Sequence, residues 1–444
     1  MDALYMDLHR VLKRLDLIQA RALRCSTGAI KTTPISALQV ETGEYPLELR
    51  CQKLAVAYWI SLQGHKHEHC TKAIIEGSWE TINLTGNGFA WKAKKWASGM
   101  LLDNISFSLT ATISPIPLWF FSQPEVDLLI HESVKKGHFD IKNYTIEYIR
   151  TVYFSFLPIY TDGSRNPEIG RTGSAFYVPE FKIGKYGRLT DGTSVYTAEL
   201  VAIQMALIWV EEVMPNKVVI CSDSMASLIS LLTYQTVRSD IYVAILNILY
   251  RLRQIGIIIK FVWVPAHADI PGNERSDRMA KESLKLNFPN ITVALSRMEG
   301  KSIIKEACNQ KWQMNWNECK TGRHLYFIHK TVRQSNMTLN LSREDQVILS
   351  RLRMGHTKLN STLYIIRTHG TGLCELCQVK ETVEHVLVFC PKYDLERNEL
   401  IRELQGIGCK VFTINSLLNI KPGSVKIVRL VLKFIKHSGL RNRI

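Results

Sequence analysis

The sequence predicts an α/β protein: a mixed five-stranded sheet flanked by helices in the middle of the chain, with helical flanks on both sides and a small Cys/His segment. Three observations predict this. Between Val152 and Leu286 short apolar runs end at polar turns, as in FSFLPIYTDGS and KVVICSD. The first strand candidates follow one another, as hairpins do, and later ones alternate with helical periods, a succession that yields a mixed sheet covered by helices. In the first 62 residues apolar residues recur at spacings of three and four, the period of amphipathic helices, and after Leu284 the chain reads as helical and basic again.

The elements follow in order. Residues 1–62 read as a basic helical region, in which Leu8, Val11, Leu12, Leu15, Ile18 and Ala22 form one apolar stripe beside Arg10, Lys13, Arg14, Arg21 and Arg24. Pro34 and Pro46 are expected at first helical positions, with Gly43 closing the helix between them. Residues 63–150 read as a connector. The α/β layer occupies 151–286. Its strands are the run ending at Asp162, then GSAFYV, Lys182 to Leu189, KVVICSD and IIIKFVWV. Helices are expected from Val195 to Val213, over SMASLISLL, around Ile241 to Leu252, and after Pro271, with Asn273 as the cap of the last. A helical region spans 287–370, the Cys/His segment 371–395, and a basic helical tail 396–444, where no acid occurs after Glu403.

With 444 residues and 46% hydrophobic content the chain is long enough to bury several cores, which excludes wholesale disorder. A formal charge of +16, from 56 Lys+Arg against 40 Asp+Glu, points to an acidic polymer such as nucleic acid as partner. No apolar run reaches membrane-spanning length, and MDALYMDLHRVLKRLDL carries charges where a secretion signal needs apolar residues. The expected location is therefore intracellular, nucleus or cytoplasm, without membrane association. Ten unevenly spaced Cys read as reduced thiols with a metal site rather than a disulfide framework.

Four acids stand out by position. Asp162 ends the first strand, Glu199 falls in the first turn of the first helix, Asp223 ends another strand, and Asp277 opens the last helix. Strand ends and helix starts share one rim of an α/β sheet, where gathered carboxylates repel one another unless cations lie between them. Hard oxygen ligands suit Mg²⁺ or Mn²⁺, and two such ions about 4 Å apart can activate water and steady a leaving oxygen in phosphodiester hydrolysis. Singly, each acid would be an ordinary turn, cap or dipole-complementing residue. Thr190-Asp191-Gly192-Thr193 repeats the Asp-Gly pattern after a polar stretch and reads as a loop.

YTDGS at Tyr160 to Ser164, TAEL at Thr197 to Leu200, CSDS at Cys221 to Ser224, and WVPAH with GNERSDRMAK resemble, in order, the signatures of type 1 ribonuclease H. The resemblance covers roughly Val152 to Leu286. It implies a ribonuclease H-like fold and endonucleolytic cutting of the RNA strand of an RNA–DNA hybrid with two Mg²⁺ ions. It further implies that Asp162 bridges both ions, Glu199 and Asp223 complete one site, and Asp277 ligates the other. His267, after the Pro265 turn, would relay a proton or aid product release. Gly163, Ser164 and Asn166 would contact ribose 2′-hydroxyls. One departure is Ala268-Asp269, where the family commonly has a small residue and then Gly.

Cys374, Cys377, His385 and Cys390 form a CxxC…H…C set able to close a tetrahedral Zn²⁺ site, against the plainer reading of buried thiols near an apolar strand, HVLVFC. RLRMGHT followed by CELC and ETVEH resembles the segment downstream of ribonuclease H in non-LTR retrotransposon polyproteins. RALRCSTGAIKTTPISALQVETGEYPLELR resembles the helical region after their reverse transcriptase. No Asp-Asp dipeptide, the catalytic pair of such a polymerase, occurs in the chain. The competing functional class is a nucleic-acid-binding remnant without turnover, and a metal-assisted DNA exonuclease or integrase on the same broad fold comes third.

Overall fold

The computed structural model describes residues 2–444 apart from 75–87, 101, 103–104, 136, 138–139, 234–237, 333–339 and 422, with the side chains of 2–10, 13, 90 and 118 also outside the description. Part of the expected connector, and Leu8 of the expected stripe, fall there. The described chain forms two units, Ala55–Ile304 and a second made of Met1–Leu54 with Lys305–Ile444.

In the first unit the described elements are α1 (Phe89–Ser98), β1 (Val126–Asp127), α2 (Leu129–Lys135), α3 (Ile141–Val152), β2 (Leu157–Asn166), β3 (Arg171–Val178) and β4 (Ile183–Arg188). There follow α4 (Val195–Val213), β5 (Lys217–Ser222), α5 (Met225–Thr233), α6 (Ser239–Gln254), β6 (Ile258–Trp263) and α7 (Pro271–Ser283). The sheet order is β1-β6-β5-β2-β3-β4, mixed as expected but with six strands rather than five. The extra strand is β1, from the stretch read as connector. Only two residues long, it pairs parallel with β6 through Val126↔Phe261 and Asp127↔Val262, too short to leave a period in the sequence. Asp127 anchors it, accepting from Tyr148 Oη at 2.7 Å and Tyr153 Oη at 2.8 Å.

Strand side chains alternate between faces, and both faces are covered. On one, Ile159, Val218, Ile220 and Phe261 pack with Leu200, Ile203, Leu207 and Val210 of α4 and Ile241 and Ile245 of α6. On the other, Tyr160, Val219, Cys221 and Val262 meet Ile130 of α2, Ile149 of α3, and Ile270. Each fully buried aliphatic side chain contributes about 1.5–3 kcal/mol, so the strand ends that present the acids are rigidly based. Helix α4 begins where Ser194 Oγ accepts from the Thr197 N–H at 3.2 Å and stops at Met214, which takes the left-handed conformation.

The cap of α7 is Ile270, with Pro271 at the first helical position. Asn273 is therefore not the cap: proline lacks an N–H and is preorganised for that first position, so the helix starts three residues earlier than expected, at Pro271. Pro34 and Pro46 shift the other way. Pro34 is the N-cap of the helix Ile35–Thr42 and Pro46 precedes the helix Leu47–Gln63, while Gly43 closes the first of these in the left-handed region.

In the second unit, the helix Asp2–Thr27 does not bury the expected stripe: Val11, Leu15, Ile18 and Ala22 are exposed, and Ala20, Leu23 and Thr27 are buried instead. A second set with the same spacing lies one face over, and it is this set that meets Ala37, Leu38 and Val40. A separate core joins Leu349 and Leu352, the Cys/His segment, and Val428, Val431, Phe434 and Ile435 of the helix Val425–His437, so the basic tail packs its apolar face into this core. HVLVF is not a strand but a π-helical turn, His385–Phe389, closed by the Cys390 N–H on the His385 carbonyl at 2.8 Å. Among the described residues no helix is long and apolar enough to cross a membrane.

Candidate active site and Cys/His cluster

Asp162 lies within β2, not at its end. The strand runs on against β3 to Asn166, while pairing with β5 stops at Thr161↔Ser222. Asp162 is thus the first residue past the parallel pair, and Asp223 the first past β5, which places the two side by side. Glu199 falls in the second turn of α4, since the helix starts at Val195. Gly163 lets α4 approach, for a Cβ there would stand 2.7 Å from the Glu199 nitrogen. Carboxylate oxygens of Asp162, Glu199 and Asp223 lie within 4.8 Å of one another. Asp277, in the second turn of α7, shares a hydrogen bond with Asp162.

This is an electrostatically loaded pocket. Burial, then the charges of Asp223 and Asp277, push Asp162 up to about 8, against the Gly163 N–H that favours its ionised form. Burial, then Asp162 and Asp223, raise Glu199 well above the ordinary carboxylate range. Burial also raises Asp223, countered by the Asn273 side chain, which donates to its Oδ2 at 3.2 Å, and more weakly by His267. Glu199 Oε2 is buried without a hydrogen-bond partner. An orphaned buried carboxylate oxygen among acids held partly protonated is what a cation would complete, and the all-oxygen donor set fits Mg²⁺ or Mn²⁺.

Around this cluster the loop between β6 and α7 carries His267 and Asp269, both exposed and both at positive φ, 52° and 54°. The left-handed conformation at 269 is the one that Gly adopts without strain, so Asp269 is a costlier residue at this position of the loop. Ser164 is half-buried on β2. The Asn166 side-chain oxygen is committed to the turn, accepting from the N–H groups of Glu168 at 2.9 Å and Ile169 at 3.3 Å. Asp191 stands apart, clamped by Arg188 at 2.6 and 2.7 Å.

Three contributors escaped sequence reasoning. Asn273 orients Asp223, Trp263 Nε1 donates to the Asp223 carbonyl at 3.0 Å, and Lys281 pairs with Asp277 at 2.6 Å. Only the last left a trace, the i,i+4 spacing of opposite charges on a helix.

In the second unit the ligand atoms of Cys374, Cys377, His385 and Cys390 also lie within 4.8 Å of one another. The Cys390 sulfur is 3.8 Å from those of Cys374 and Cys377, and the edge of a tetrahedron with Zn–S bonds near 2.3 Å is about 3.8 Å. The π-turn brings His385 and Cys390 to one centre. Burial opposes the Cys374 thiolate, but the N–H groups of Cys377 and Leu376 outweigh it and lower its pKa, while burial pushes Cys390 up to about 12. His385 is kept neutral by burial, and its Nε2 is buried without a partner, the state of a ligand imidazole.

No curated protein matches the chain at a significant level. Residues 156–285, by contrast, match the family model of RNase H, which spans the sheet from β2 onward and all four acids of the cluster. The central part of this chain, residues 156–285, is an RNase H domain.

Proposed function

We propose that the chain cuts the RNA strand of RNA–DNA hybrids endonucleolytically, and that it derives from a non-LTR retroelement. The convergence of Asp162, Glu199, Asp223 and Asp277 inside an RNase H domain carries the first reading; the resemblance of the flanking segments supports the second. Two Mg²⁺ or Mn²⁺ ions, when bound, supply an activated water and neutralise the leaving oxygen. Asp162, next to both Asp277 and the Glu199–Asp223 pair, is the carboxylate fit to serve both. Glu199 and Asp223 complete one side, with Asn273 and Trp263 fixing the second of them. His267, exposed beside this rim, is the side chain placed to relay a proton or aid product release. Gly163, Ser164 and the amide nitrogen of Asn166 are the groups offered to ribose hydroxyls. Flanking Lys and Arg add salt-sensitive affinity for the hybrid. The Cys374, Cys377, His385 and Cys390 set holds a structural Zn²⁺.

The test is cleavage of a labelled hybrid by the full chain. RNA is expected to be cut with Mg²⁺ and not with chelator, and Asp162→Asn is expected to slow cutting by on the order of a hundredfold or more, the scale of one electrostatic stabiliser. Salt-sensitive hybrid binding with no cutting in Mg²⁺ or Mn²⁺ would instead establish a binding remnant.

A further inference from the structure

A second buried carboxylate lies behind the acidic cluster, outside the residues that match the RNase H family. Glu299 is 5% exposed. Its Oε1 accepts from the Ser194 N–H at 2.7 Å and from Thr197 Oγ1 at 2.7 Å. Its Oε2 accepts from the Ser296 N–H at 2.7 Å and from Nη1 of Arg238, a fully buried guanidinium, at 3.1 Å. Arg238 also donates to Thr197 Oγ1 at 3.2 Å and forks onto Asp240 at 3.0 and 2.7 Å. Two of the residues Glu299 grips, Ser194 and Thr197, are the cap and third residue of α4, so a negative charge sits where the helix dipole favours it.

The consequence falls on Glu199, two residues beyond Thr197. Its Oε2 has no hydrogen-bond partner, and its position is set by the first turns of α4 and the Gly163 N–H. The segment carrying Glu299 is itself tied to the sheet: Asn290 Oδ1 accepts from the Arg188 N–H at 2.7 Å, Arg188 Nη1 donates to the Leu286 carbonyl at 2.9 Å, and the Val293 N–H donates to Thr190 Oγ1 at 3.0 Å. The compact unit correspondingly ends at Ile304.

We infer that Glu299 is a positioning residue for Glu199, and that the working catalytic unit extends to Ile304, past the matched 156–285. This rests on the hybrid-cutting reading above. A small displacement of a positioned group is costly in catalysis, and partners that orient metal ligands typically matter by 10- to 100-fold.

The experiment compares the full chain with its Glu299→Gln and Thr197→Val variants, measuring hybrid cleavage across a Mg²⁺ series and melting temperature with and without Mg²⁺. Glu299→Gln is expected to raise the Mg²⁺ needed for half-maximal cutting about tenfold while leaving KM for the hybrid unchanged. Thr197→Val, which removes one hydroxyl from the same clamp, is expected to shift it the same way by less, and it decides the matter should Glu299→Gln not fold. A lowered melting temperature with the parent's Mg²⁺ requirement would make Glu299 merely structural and overturn the inference. A parent that does not cut would defeat the hybrid-cutting reading alone. The clamp is then judged by the Mg²⁺-induced rise in melting temperature, smaller in Glu299→Gln if it exists and equal if it does not.

Discussion

The acidic cluster and the Cys/His cluster solve one problem by opposite routes. Each gathers groups that are unfavourable together, and each leaves one buried atom unpartnered, Glu199 Oε2 in the first and His385 Nε2 in the second. The acids come from Asp162, Glu199, Asp223 and Asp277, far apart in sequence, and are brought together by a sheet whose two covered faces hold without help. The Cys/His ligands come from a tight CxxC turn and one π-turn, and sit inside a small helical core to which Cys374 and Cys390 themselves belong. The difference teaches where a cation would act at each. In the sheet, an ion would relieve repulsion that folding has already overcome; in the helical unit, it would be part of what the core is built around.

Breaking this contrast should give effects of very different size. The largest is Asp162→Asn on cleavage, with the fold retained, since the variant removes a buried charge rather than a core contact. Next is Cys374→Ser: the purified parent is expected to carry stoichiometric zinc by metal analysis and the variant almost none, with loss of the helical unit's melting transition. Equal zinc in both would reject the ligand set. The smallest is Asp269→Gly, which relaxes a left-handed residue and should stabilise the first unit by about 1 kcal/mol or less, read as a small rise in denaturation midpoint.

Legibility followed the same division. The identities of the acids were readable because each sits in a short motif and the motifs come in order, and the Cys/His set because its spacing is local. What the sequence concealed were long-range choices. Two stripes of equal period competed in the first helix, and the partner at Ala37 and Leu38 decided for Ala20 and Leu23. HVLVF has the composition of a strand, yet closure of His385 onto Cys390 makes it helical. Asn273 looks like a cap until Pro271 claims the helix start, and Glu299 is one acid in the first turn of the helix Arg297–Glu318 until the fold sets it against Ser194 and Thr197.

The central claim is that the four carboxylates form one divalent-cation centre, and the pH dependence of stability tests it most directly. Burial and the neighbouring Asp223 and Asp277 push Asp162 in the folded chain up to about 8, against about 4 when unfolded, so the folded state binds its proton more tightly. Its contribution to stability is greatest below about pH 4 and is lost as pH rises to about 8, by up to about 1.4 kcal/mol per pH unit. Metal-free Asp162→Asn should therefore gain on the parent in melting temperature across that window, and Mg²⁺ should reverse the order by stabilising the parent alone. A difference between the two proteins that ignores pH, with the same response to Mg²⁺ in both, would contradict it.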